Sequence, residues 1–430
     1  MIAAASPTIA THTLGCKVNK CDTEALLAKL KAAGFDICEF NQPAGIYIIN
    51  TCTVTHAGDK KSLQIIRRTR RQNPTAFIAV CGCMPRGQSS SASKINEAGA
   101  DFIFDARKPD DLLAKLNEMP LVPHAPTQHA GFNTSAATAA RTRAFIKIQD
   151  GCNRYCSYCI VPYVRGPVVS RPLEEIQDEA STHIKHGAQE IVLTGIQVAA
   201  YGYDTGNNIT LPVLISHLSS TGIKRLRLSS IDPWAVDDAF MAAVGNSPTL
   251  CAHFHLSLQS GSNKTLTNMN RRYTTTDYAT AANKLRSLKP NMALTTDIIV
   301  GFPGETEEDF KESLSFASEM QFSKIHVFEY SPRTGTPAAN MPNQVPSHTK
   351  SARSEKMRAL ASSLEQSFLS SQVGKQMPVL FESKSNESPD IWQGHTENYC
   401  LVKVKGTNLA NTIKQVKITD TANNSLIGSL

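Results

Sequence analysis

Residues 8–119 alternate between short apolar runs and helical patterns. The runs at 46–50 and 77–80 are of β type and end at small or polar residues, as buried strands do. Between residues 22 and 33, Leu26, Leu27 and Leu30 recur at the spacing of one helical face. This alternation predicts an α/β domain whose sheet is mostly parallel.

Residues 142–373 repeat a strand-then-helix pattern. The apolar strand candidates are 145–148, 191–194, 225–229, 253–258, 294–300 and 325–330, and helical patterns separate them, notably at 172–186, 274–288 and 306–320. Thr306 and Asp309 predict a pair of capping residues at the start of the last helix. Six such units predict a barrel-like parallel sheet, with an active site at the C-terminal ends of its strands.

Two further segments complete the predicted organisation. Residues 120–141 contain prolines and Ala/Thr runs with little apolar periodicity, which is typical of a linker. Residues 374–430 hold short β segments at 379–382, 399–405 and 412–419, separated by glycines and asparagines. This pattern predicts a small antiparallel barrel, a fold that often binds RNA. The predicted fold class is therefore α/β, with domains at 8–119, 142–373 and 374–430.

The composition narrows the class of protein. Hydrophobic residues make up 41% of the 430 residues, which is enough for full cores, and no apolar run approaches a membrane span. The first ten residues lack the basic region of a signal peptide. The net charge of +7 permits a polyanionic partner. The 11 unevenly spaced cysteines are typical of reduced thiols in a cytosolic metal protein, not of a disulfide framework.

Three cysteines form a compact pattern just after the first predicted barrel strand. Cys152, Cys156 and Cys159 have the spacing Cys-x3-Cys-x2-Cys and no fourth partner nearby. A structural zinc ion requires four ligands, whereas a cubane iron-sulfur cluster held by three thiolates keeps one iron open. An open iron can bind and activate a small molecule. The pattern therefore predicts a redox-active cluster; half of a zinc site and a chance cluster remain the alternatives.

A second set of cysteines lies in the N-terminal region. Cys16, Cys52 and Cys83 each lie beside a glycine or after a predicted strand, so three βα loops could converge on one cluster. Scattered cysteines are usually small buried apolar residues, and Cys81 and Cys21 compete with Cys83 and Cys16. The remaining cysteines, which are more typical of packing residues, are Cys38, Cys251 and Cys400.

Together these segments resemble the methylthiotransferase family of radical S-adenosylmethionine (SAM) enzymes, in the correct order and over nearly the whole chain. The stretches around Cys16, Cys52 and Cys83 resemble its N-terminal cluster motifs. The other matching stretches are 151–166, 170–172, 301–306, 331–338 and, for the RNA-binding TRAM module, 394–399.

One detail of the resemblance indicates a branch of the family. Gly-Cys-Lys-Val-Asn at 15–19, followed by Asp-Thr-Glu at 22–24, resembles the MtaB-like branch, which modifies threonylcarbamoyladenosine next to the tRNA anticodon. Residues 84–86 depart from the pattern, because they read Met-Pro-Arg where the family more often has Tyr-Ala-Gln. The departure leaves the cysteine at 83 intact and changes its surroundings.

The resemblance also implies the cofactors and the chemistry. Two [4Fe-4S] clusters would be held by Cys152, Cys156 and Cys159 and by Cys16, Cys52 and Cys83. The first would bind SAM and release a 5′-deoxyadenosyl radical, which takes a hydrogen from C2 of the adenine. The second would deliver a methylated sulfur to that carbon, with the methyl group from another SAM. The implied product is 2-methylthio-N6-threonylcarbamoyladenosine at position 37 of tRNA.

Other contacts follow from the same resemblance. The SAM-binding residues would be Gly195, Gln259 and Asp297, at ends of barrel strands. The tRNA would contact lysines of 374–430 and a basic stretch at 60–71; for that stretch a solvated helix face is the alternative. An electron donor, a cytoplasmic location and no membrane partner are also implied.

Three alternative functions stay open at this point. The same scaffold could act on isopentenyladenosine of tRNA or on an aspartate of a ribosomal protein. A non-catalytic iron-sulfur protein that binds RNA belongs to another class, and it would not need an open iron. A zinc-binding protein is a further alternative, which the three-cysteine spacing disfavours.

Overall fold

The computed structural model describes residues 8–87, 89–119, 142–289 and 291–430. The predicted linker at 120–141 lies outside these described residues. The described residues fall into two compact units: the first consists of those within 8–119, 151–167 and 331–340, and the second of those within 142–150, 168–330 and 341–430. Within the described part of the chain, no helix has the length and apolar character needed to cross a membrane.

The first unit is built around a five-stranded sheet in the order β2-β1-β3-β4-β5, with every neighbouring pair parallel. Its elements are β1 (Thr8–Thr13), α1 (Lys17–Ala32), β2 (Asp36–Cys38), β3 (Ile46–Thr51), α2 (His56–Gln72), β4 (Phe77–Gly82), α3 (Ser89–Glu97), β5 (Phe102–Ile103), α4 (Pro109–Asn117) and α5 (Val161–Arg165). Alternate residues of β3 enter two separate cores, because neighbouring side chains of a strand point to opposite faces. The predicted parallel α/β domain is therefore confirmed.

The second unit contains the predicted barrel. Its elements are β6 (Arg143–Lys147), β7 (Gln149–Asp150), β8 (Val169–Ser170), α6 (Leu173–Lys185), β9 (Glu190–Thr194), α7 (Leu211–Ser219), β10 (Arg225–Leu228), β11 (Ser230–Ile231), α8 (Asp238–Asn246), β12 (His253–Leu256), α9 (Asn263–Asn268), α10 (Thr275–Leu288), β13 (Ala293–Val300), α11 (Glu307–Glu319), β14 (Lys324–Glu329) and α12 (Ser347–Ser370). The order of the long strands is β6-β9-β10 in one parallel sheet and β11-β12-β13-β14 in another.

All six predicted barrel strands are present, and the partial (β/α)6 barrel is confirmed. The strands divide into two sheets, and an isolated bridge between Leu226 and Leu250 links the end of the first sheet to the segment before β12. The capping pair predicted at Thr306 and Asp309 is also present as a reciprocal capping box. One face of each strand packs on the helices, so the other face lines the interior of the barrel.

The C-terminal part of the second unit is a closed five-stranded barrel in the order β15-β16-β17-β19-β18. Its strands are β15 (Gln376–Lys384), β16 (Ile391–Thr396), β17 (Leu401–Lys405), β18 (Ile413–Ala422) and β19 (Ser425–Ser429). The sequence pattern did not predict β16 and β19, which contain Gly394 and Gly428. A Cβ at Gly394 would lie 2.2 Å from the carbonyl oxygen of Leu380, so glycine permits close strand contact there. The β17–β19 pairing is parallel, in an otherwise antiparallel barrel.

Candidate metal centres

The three N-terminal cysteines lie at one edge of the first unit's sheet. Cys16, Cys52 and Cys83 follow β1, β3 and β4, which are neighbours in the sheet and run parallel. Their loops therefore emerge at the same carboxyl edge. A Cβ built on Gly15 would lie 3.1 Å from the sulfur of Cys52, which shows how closely two of these loops approach.

Asn19, in the first turn of α1, holds these loops together. Its Nδ2 donates hydrogen bonds to the carbonyl oxygens of Leu14 (2.8 Å) and Thr51 (3.0 Å). Its Oδ1 lies 3.8 Å from the sulfur of Cys83. One buried amide thus contacts the loops that carry all three cysteines, which gives a physical reason for the asparagine of the 15–19 motif.

Gly82 sets the position of Cys83. Its φ angle of +99° lies in a region that residues with side chains rarely adopt. A Cβ there would lie 2.3 Å from the carbonyl oxygen of Thr51 and 2.4 Å from Oδ1 of Asn50. A larger residue at position 82 would therefore push the end of β4 away from β3 and displace the cysteine that follows.

Exposure separates two of the candidate ligands from the packing cysteines: Cys16 is exposed and Cys52 is partly exposed, whereas Cys83 is buried like Cys21 and Cys81. Burial raises the pKa of Cys52, and it raises the pKa of Cys83 although the charge of Arg165 opposes the shift. A metal would have to displace protons from these thiols, as in other thiolate sites. Cys81 lies wholly inside the core between the sheet and its helices, and burial raises its pKa strongly. Cys21 is a buried residue of α1.

Arg165 belongs to the segment 151–167 and is buried with a side-chain exposure of 1%. Its Nη1 lies 3.3 Å from Oδ2 of Asp22, and its Nη2 donates to Oδ1 of Asn19. Ile160 and Val164 from the same segment form a small apolar cluster with Cys83. The segment that carries the second cysteine set is thereby packed into the first unit, beside the N-terminal cysteines.

Replacing Arg165 with methionine should destabilise the first unit by about 3 kcal/mol, because Asp22 would remain as a buried carboxylate without this partner. The thermal unfolding midpoint and the iron retained after mild heating would measure the effect. Arg67→Met is the matched control, since Arg67 is an exposed residue of α2. Equal iron retention and equal midpoints in the two variants would contradict the role given to Arg165.

Cys152, Cys156 and Cys159 lie on one tight loop that ends in α5. Gly151 begins it with φ +72°, where a Cβ would lie 1.7 Å from the carbonyl oxygen of Pro167. The backbone N–H of Cys152 donates to the carbonyl oxygen of Gly166 (3.0 Å), which closes the loop at its base. The backbone N–H of Arg154 donates to the sulfur of Cys152 at 3.4 Å, which helps to fix the position of that sulfur. Three sulfurs on one loop suit a cluster with an open iron.

Arg333 supports the same region from the segment 331–340, and residue spacing alone did not reveal it. Its Nη1 lies 2.7 Å from Oδ2 of Asp59, and its Nη2 donates to Oγ1 of Thr53 at 2.8 Å. Thr53 is the residue after Cys52. The backbone N–H of Ala338 donates to the carbonyl oxygen of Ser157, inside the cysteine loop (2.8 Å). This segment therefore contacts the loops of both cysteine sets.

The three predicted SAM-binding residues lie at or near the ends of barrel strands. Gly195 follows β9, where a Cβ would lie 2.9 Å from Oε1 of Gln149. Gln259 follows β12 with a positive φ of 72°, and its N–H donates to the carbonyl oxygen of Asp297 at 2.9 Å. Gln259 and Asp297 are thus joined through the main chain, whereas Gly195 lies on the other sheet. Their role in binding SAM stays a prediction.

The predicted RNA-binding lysines and arginines differ in their exposure. Lys405, Lys414 and Lys417 are exposed on the small barrel, whereas Lys403 pairs with Glu387 at 2.6 Å. In the 60–71 stretch, five basic residues are exposed: Lys60, Lys61, Arg67, Arg68 and Arg71. Arg70 instead bonds the main chain at Gly99, Pro74 and Ala76, which makes it part of the fold.

Three family models match the chain. Residues 8–105 match the uncharacterized protein family UPF0004, residues 146–317 the radical SAM superfamily, and residues 370–430 the TRAM domain. The second and third matches confirm the predicted radical SAM and TRAM-like parts of the chain. The first covers the described strands and cysteines of the N-terminal sheet.

Curated relatives extend over nearly the whole chain. The threonylcarbamoyladenosine tRNA methylthiotransferase MtaB of Bacillus subtilis (strain 168) is 40% identical over 424 residues, which are 96% of this chain and 93% of that protein. The MtaB of Thermotoga maritima is 35% identical, covering 87% of this chain and 86% of that protein. The tRNA-2-methylthio-N(6)-dimethylallyladenosine synthase of Staphylococcus haemolyticus is 34% identical, covering 98% and 84%.

Solved structures of distant sequence share the fold. The radical SAM methyltransferase TsrM of Kitasatospora setae, with cobalamin and a [4Fe-4S] cluster bound, aligns with a TM-score of 0.58 at 13% identity. The alignment covers 78% of this chain and 77% of that chain. The family models, the full-length relatives and the two cysteine sets agree, and the chain belongs to the radical SAM methylthiotransferase family, as its motifs predicted.

Proposed function

We propose that this chain adds a methylthio group to C2 of N6-threonylcarbamoyladenosine at position 37 of tRNA, next to the anticodon. The observation that carries the proposal is the 40% identity to the Bacillus subtilis MtaB over 96% of the chain. The branch motif at 15–19 supports it, because Asn19 of that motif contacts the loops of all three N-terminal cysteines.

The two cysteine sets fit two [4Fe-4S] clusters. Cys152, Cys156 and Cys159 would hold the first cluster, and Cys16, Cys52 and Cys83 would hold the second. When bound, the clusters and SAM would supply the electron, the radical, the sulfur and the methyl group, with the electron coming from an external donor.

Two buried arginines, Arg165 and Arg333, position the loops that carry the cysteines. Arg165 pairs with Asp22 and contacts Asn19 beside the thiol of Cys83, and Arg333 fixes the loop after Cys52 through Asp59. These buried cations hold the cysteine loops in place. They also place positive charge near sites where thiolates must form.

The tRNA is held through its phosphates by exposed lysines of the small barrel. Lys405, Lys414 and Lys417 are exposed there, and cationic side chains bind phosphate oxygens without reading the sequence. The exposed residues of α2 add a second basic surface. A tRNA substrate supports a cytoplasmic location as part of the same proposal.

The direct test is mass spectrometry of tRNA nucleosides from cells that lack this protein. We expect the 2-methylthio derivative of threonylcarbamoyladenosine to disappear and its precursor to accumulate. Expression of the wild-type chain should restore the modification, and expression of the Cys152→Ala, Cys156→Ala, Cys159→Ala variant should not. If only the 2-methylthio derivative of isopentenyladenosine disappeared, the chain would belong to the branch that modifies isopentenyladenosine. The Staphylococcus haemolyticus synthase, which is 34% identical to this chain, is a member of that branch by name.

A further inference from the structure

The inner face of the barrel is polar along β12, β13 and β14. Leu294, Ile298 and Val300 of β13 pack in the core with the helices. Thr295, Asp297 and Ile299 therefore point to the opposite, inner face, since side chains alternate along a strand. By the same alternation, His255 of β12 and the exposed residues His326 and Phe328 of β14 share this inner face, which we call the β12–β14 surface.

Three groups of this surface meet at its centre. Asp297 is paired with His326 in the register of β13 and β14. Nε2 of His255 lies 3.3 Å from Oδ2 of Asp297, and the rings of His255 and His326 are 5.8 Å apart. One ligand atom of each residue lies within 4.8 Å of the other two. The surface thus brings one carboxylate and two imidazoles close enough together for all three to contact the same small polar group.

The hydrogen-bonding character of the three groups is mixed. Nδ1 of His255 contacts Oγ1 of Thr295 at 3.0 Å, which orients the ring. Burial lowers the pKa of His326, although the charge of Asp297 opposes the shift. A neutral imidazole offers one N–H donor and one acceptor, and a carboxylate offers acceptors only. A ligand with both donors and acceptors is the chemical match.

Phe328 adds a flat apolar surface next to these groups. It is two residues after His326 on β14, so both side chains lie on the same face of the strand. Its side chain is 48% exposed, which is unusual for a phenylalanine in a barrel strand. Exposed aromatic rings beside polar groups are typical of sites where a nucleobase stacks.

We propose that the β12–β14 surface binds the target nucleoside, with Phe328 stacking on the adenine and His326, Asp297 and His255 recognising the threonylcarbamoyl group. This inference rests on the proposed function, and it assigns the side chain of Asp297 to the nucleoside in place of the SAM contact that the family resemblance implied for it. The threonylcarbamoyl group carries ureido N–H donors, which suit the carboxylate of Asp297. It also carries carbonyl, hydroxyl and carboxylate oxygens, which suit the imidazole N–H donors. An isopentenyl group is a hydrocarbon and would offer no hydrogen-bond partner to any of the three groups.

The contact of Phe328 and the contacts of His326 can be tested separately. Stacking on Phe328 involves the adenine, which both modified nucleosides share. Contacts of His326 involve the N6 substituent, which differs between them. A change at Phe328 should therefore weaken both substrates equally, whereas a change at His326 should alter the preference between them.

The test uses two anticodon stem-loops of identical sequence, one with threonylcarbamoyladenosine and one with isopentenyladenosine at position 37. Their dissociation constants and kcat/KM values would be measured with the cluster-containing protein. We expect His326→Leu to weaken the threonylcarbamoyl substrate about tenfold to a hundredfold, mainly through KM, because its oxygens lose a hydrogen-bond donor. The isopentenyl substrate should bind equally well or better. Phe328→Ala should weaken both about tenfold.

Two variants serve as controls. His326→Gln keeps an N–H donor and should retain most of the preference for the threonylcarbamoyl substrate. His348→Leu makes the same substitution at an exposed histidine of α12 and should change neither substrate. SAM cleavage in the absence of RNA should be the same in all variants. This readout separates substrate recognition from damage to the cofactor site.

The possible failures are distinguishable. A wild-type enzyme that modifies only the isopentenyl stem-loop overturns the proposed function. An active wild-type enzyme whose preference is unchanged by His326→Leu overturns this inference alone. One equivalent of zinc in the wild-type protein that is missing in His326→Leu would assign the three groups to a metal ion, and would also overturn it.

Discussion

Replacing Cys152, Cys156 and Cys159 with alanine is expected to reduce the iron of the reconstituted protein from about eight to about four atoms per chain and to abolish methylthiolation. The three sulfurs lie on one tight loop that is closed by the hydrogen bond between Cys152 and Gly166, so the triple substitution removes every thiolate of that loop. Without an open iron, SAM cannot be cleaved. The iron content and the visible absorbance of the iron-sulfur clusters would measure the loss of the cluster. The formation of 5′-deoxyadenosine would measure the loss of SAM cleavage.

The matched variant replaces Cys16, Cys52 and Cys83. It should also retain about four irons, but it should still cleave SAM, because the loop at 151–159 is unchanged. The methylthio product should be absent in both variants, so the 5′-deoxyadenosine assay separates the two sites. Cys400→Ala, in the core of the small barrel, is the control and should retain all iron. Retention of about eight irons by either triple variant would refute that assignment.

Much of the fold could be predicted because its signals are local. The fully buried strands, such as β3 and β9, are nearly continuous apolar runs, since both of their faces are covered. The cysteine loop at 152–159 could be identified for the same reason, because three ligands of one cluster lie within eight residues. By contrast, β16 and β19 were missed, because Gly394 and Gly428 interrupt their patterns at places where strands approach closely.

The supporting residues of the candidate sites could not be predicted, because they act over long sequence distances. Arg333 contacts Thr53, which is 280 residues away in the sequence, and Arg165 contacts Asp22, which is 143 residues away. A lone arginine in a sequence carries no sign of its partner. Tyr399 is another case. The centre of its ring lies 5.1 Å from the guanidinium carbon of Arg143 and 4.7 Å from that of Arg227, and both arginines are distant in the sequence.

These arginines belong to a buried charge network at the start of the barrel strands. Glu190, the first residue of β9, is fully buried and lies 2.8 Å from Nε of Arg143 and 2.8 Å from Nε of Arg227. Arg143 also pairs with Glu382 of the small barrel at 2.7 Å, and Arg227 donates to the carbonyl oxygen of Glu397 at 3.0 Å. Glu190 is therefore the shared anion through which barrel strands and the small barrel are joined.

Glu190→Ala should consequently lower the free energy of unfolding of the second unit by about 3–5 kcal/mol, because two guanidinium groups would lose their buried counter-ion. Both tryptophans, Trp234 and Trp392, lie in this unit, so urea unfolding followed by fluorescence reports on it. Glu175→Ala is the control, since Glu175 is 60% exposed and should change the free energy by less than about 0.5 kcal/mol.

The pH dependence of this difference provides an independent check. Burial acts to raise the pKa of Glu190, but the charges and hydrogen bonds of Arg227, together with Arg143, lower it below its ordinary value. A carboxyl group with a lowered pKa stabilises the fold at pH values above its ordinary pKa of about 4.3, and this contribution is lost as the pH falls through the lower, folded value. The free-energy gap between the wild-type protein and Glu190→Ala should therefore be constant near neutral pH and should narrow only below about pH 4. A gap under about 1 kcal/mol at pH 7 would mean that the two arginines find other partners, and that Glu190 does not join the barrels.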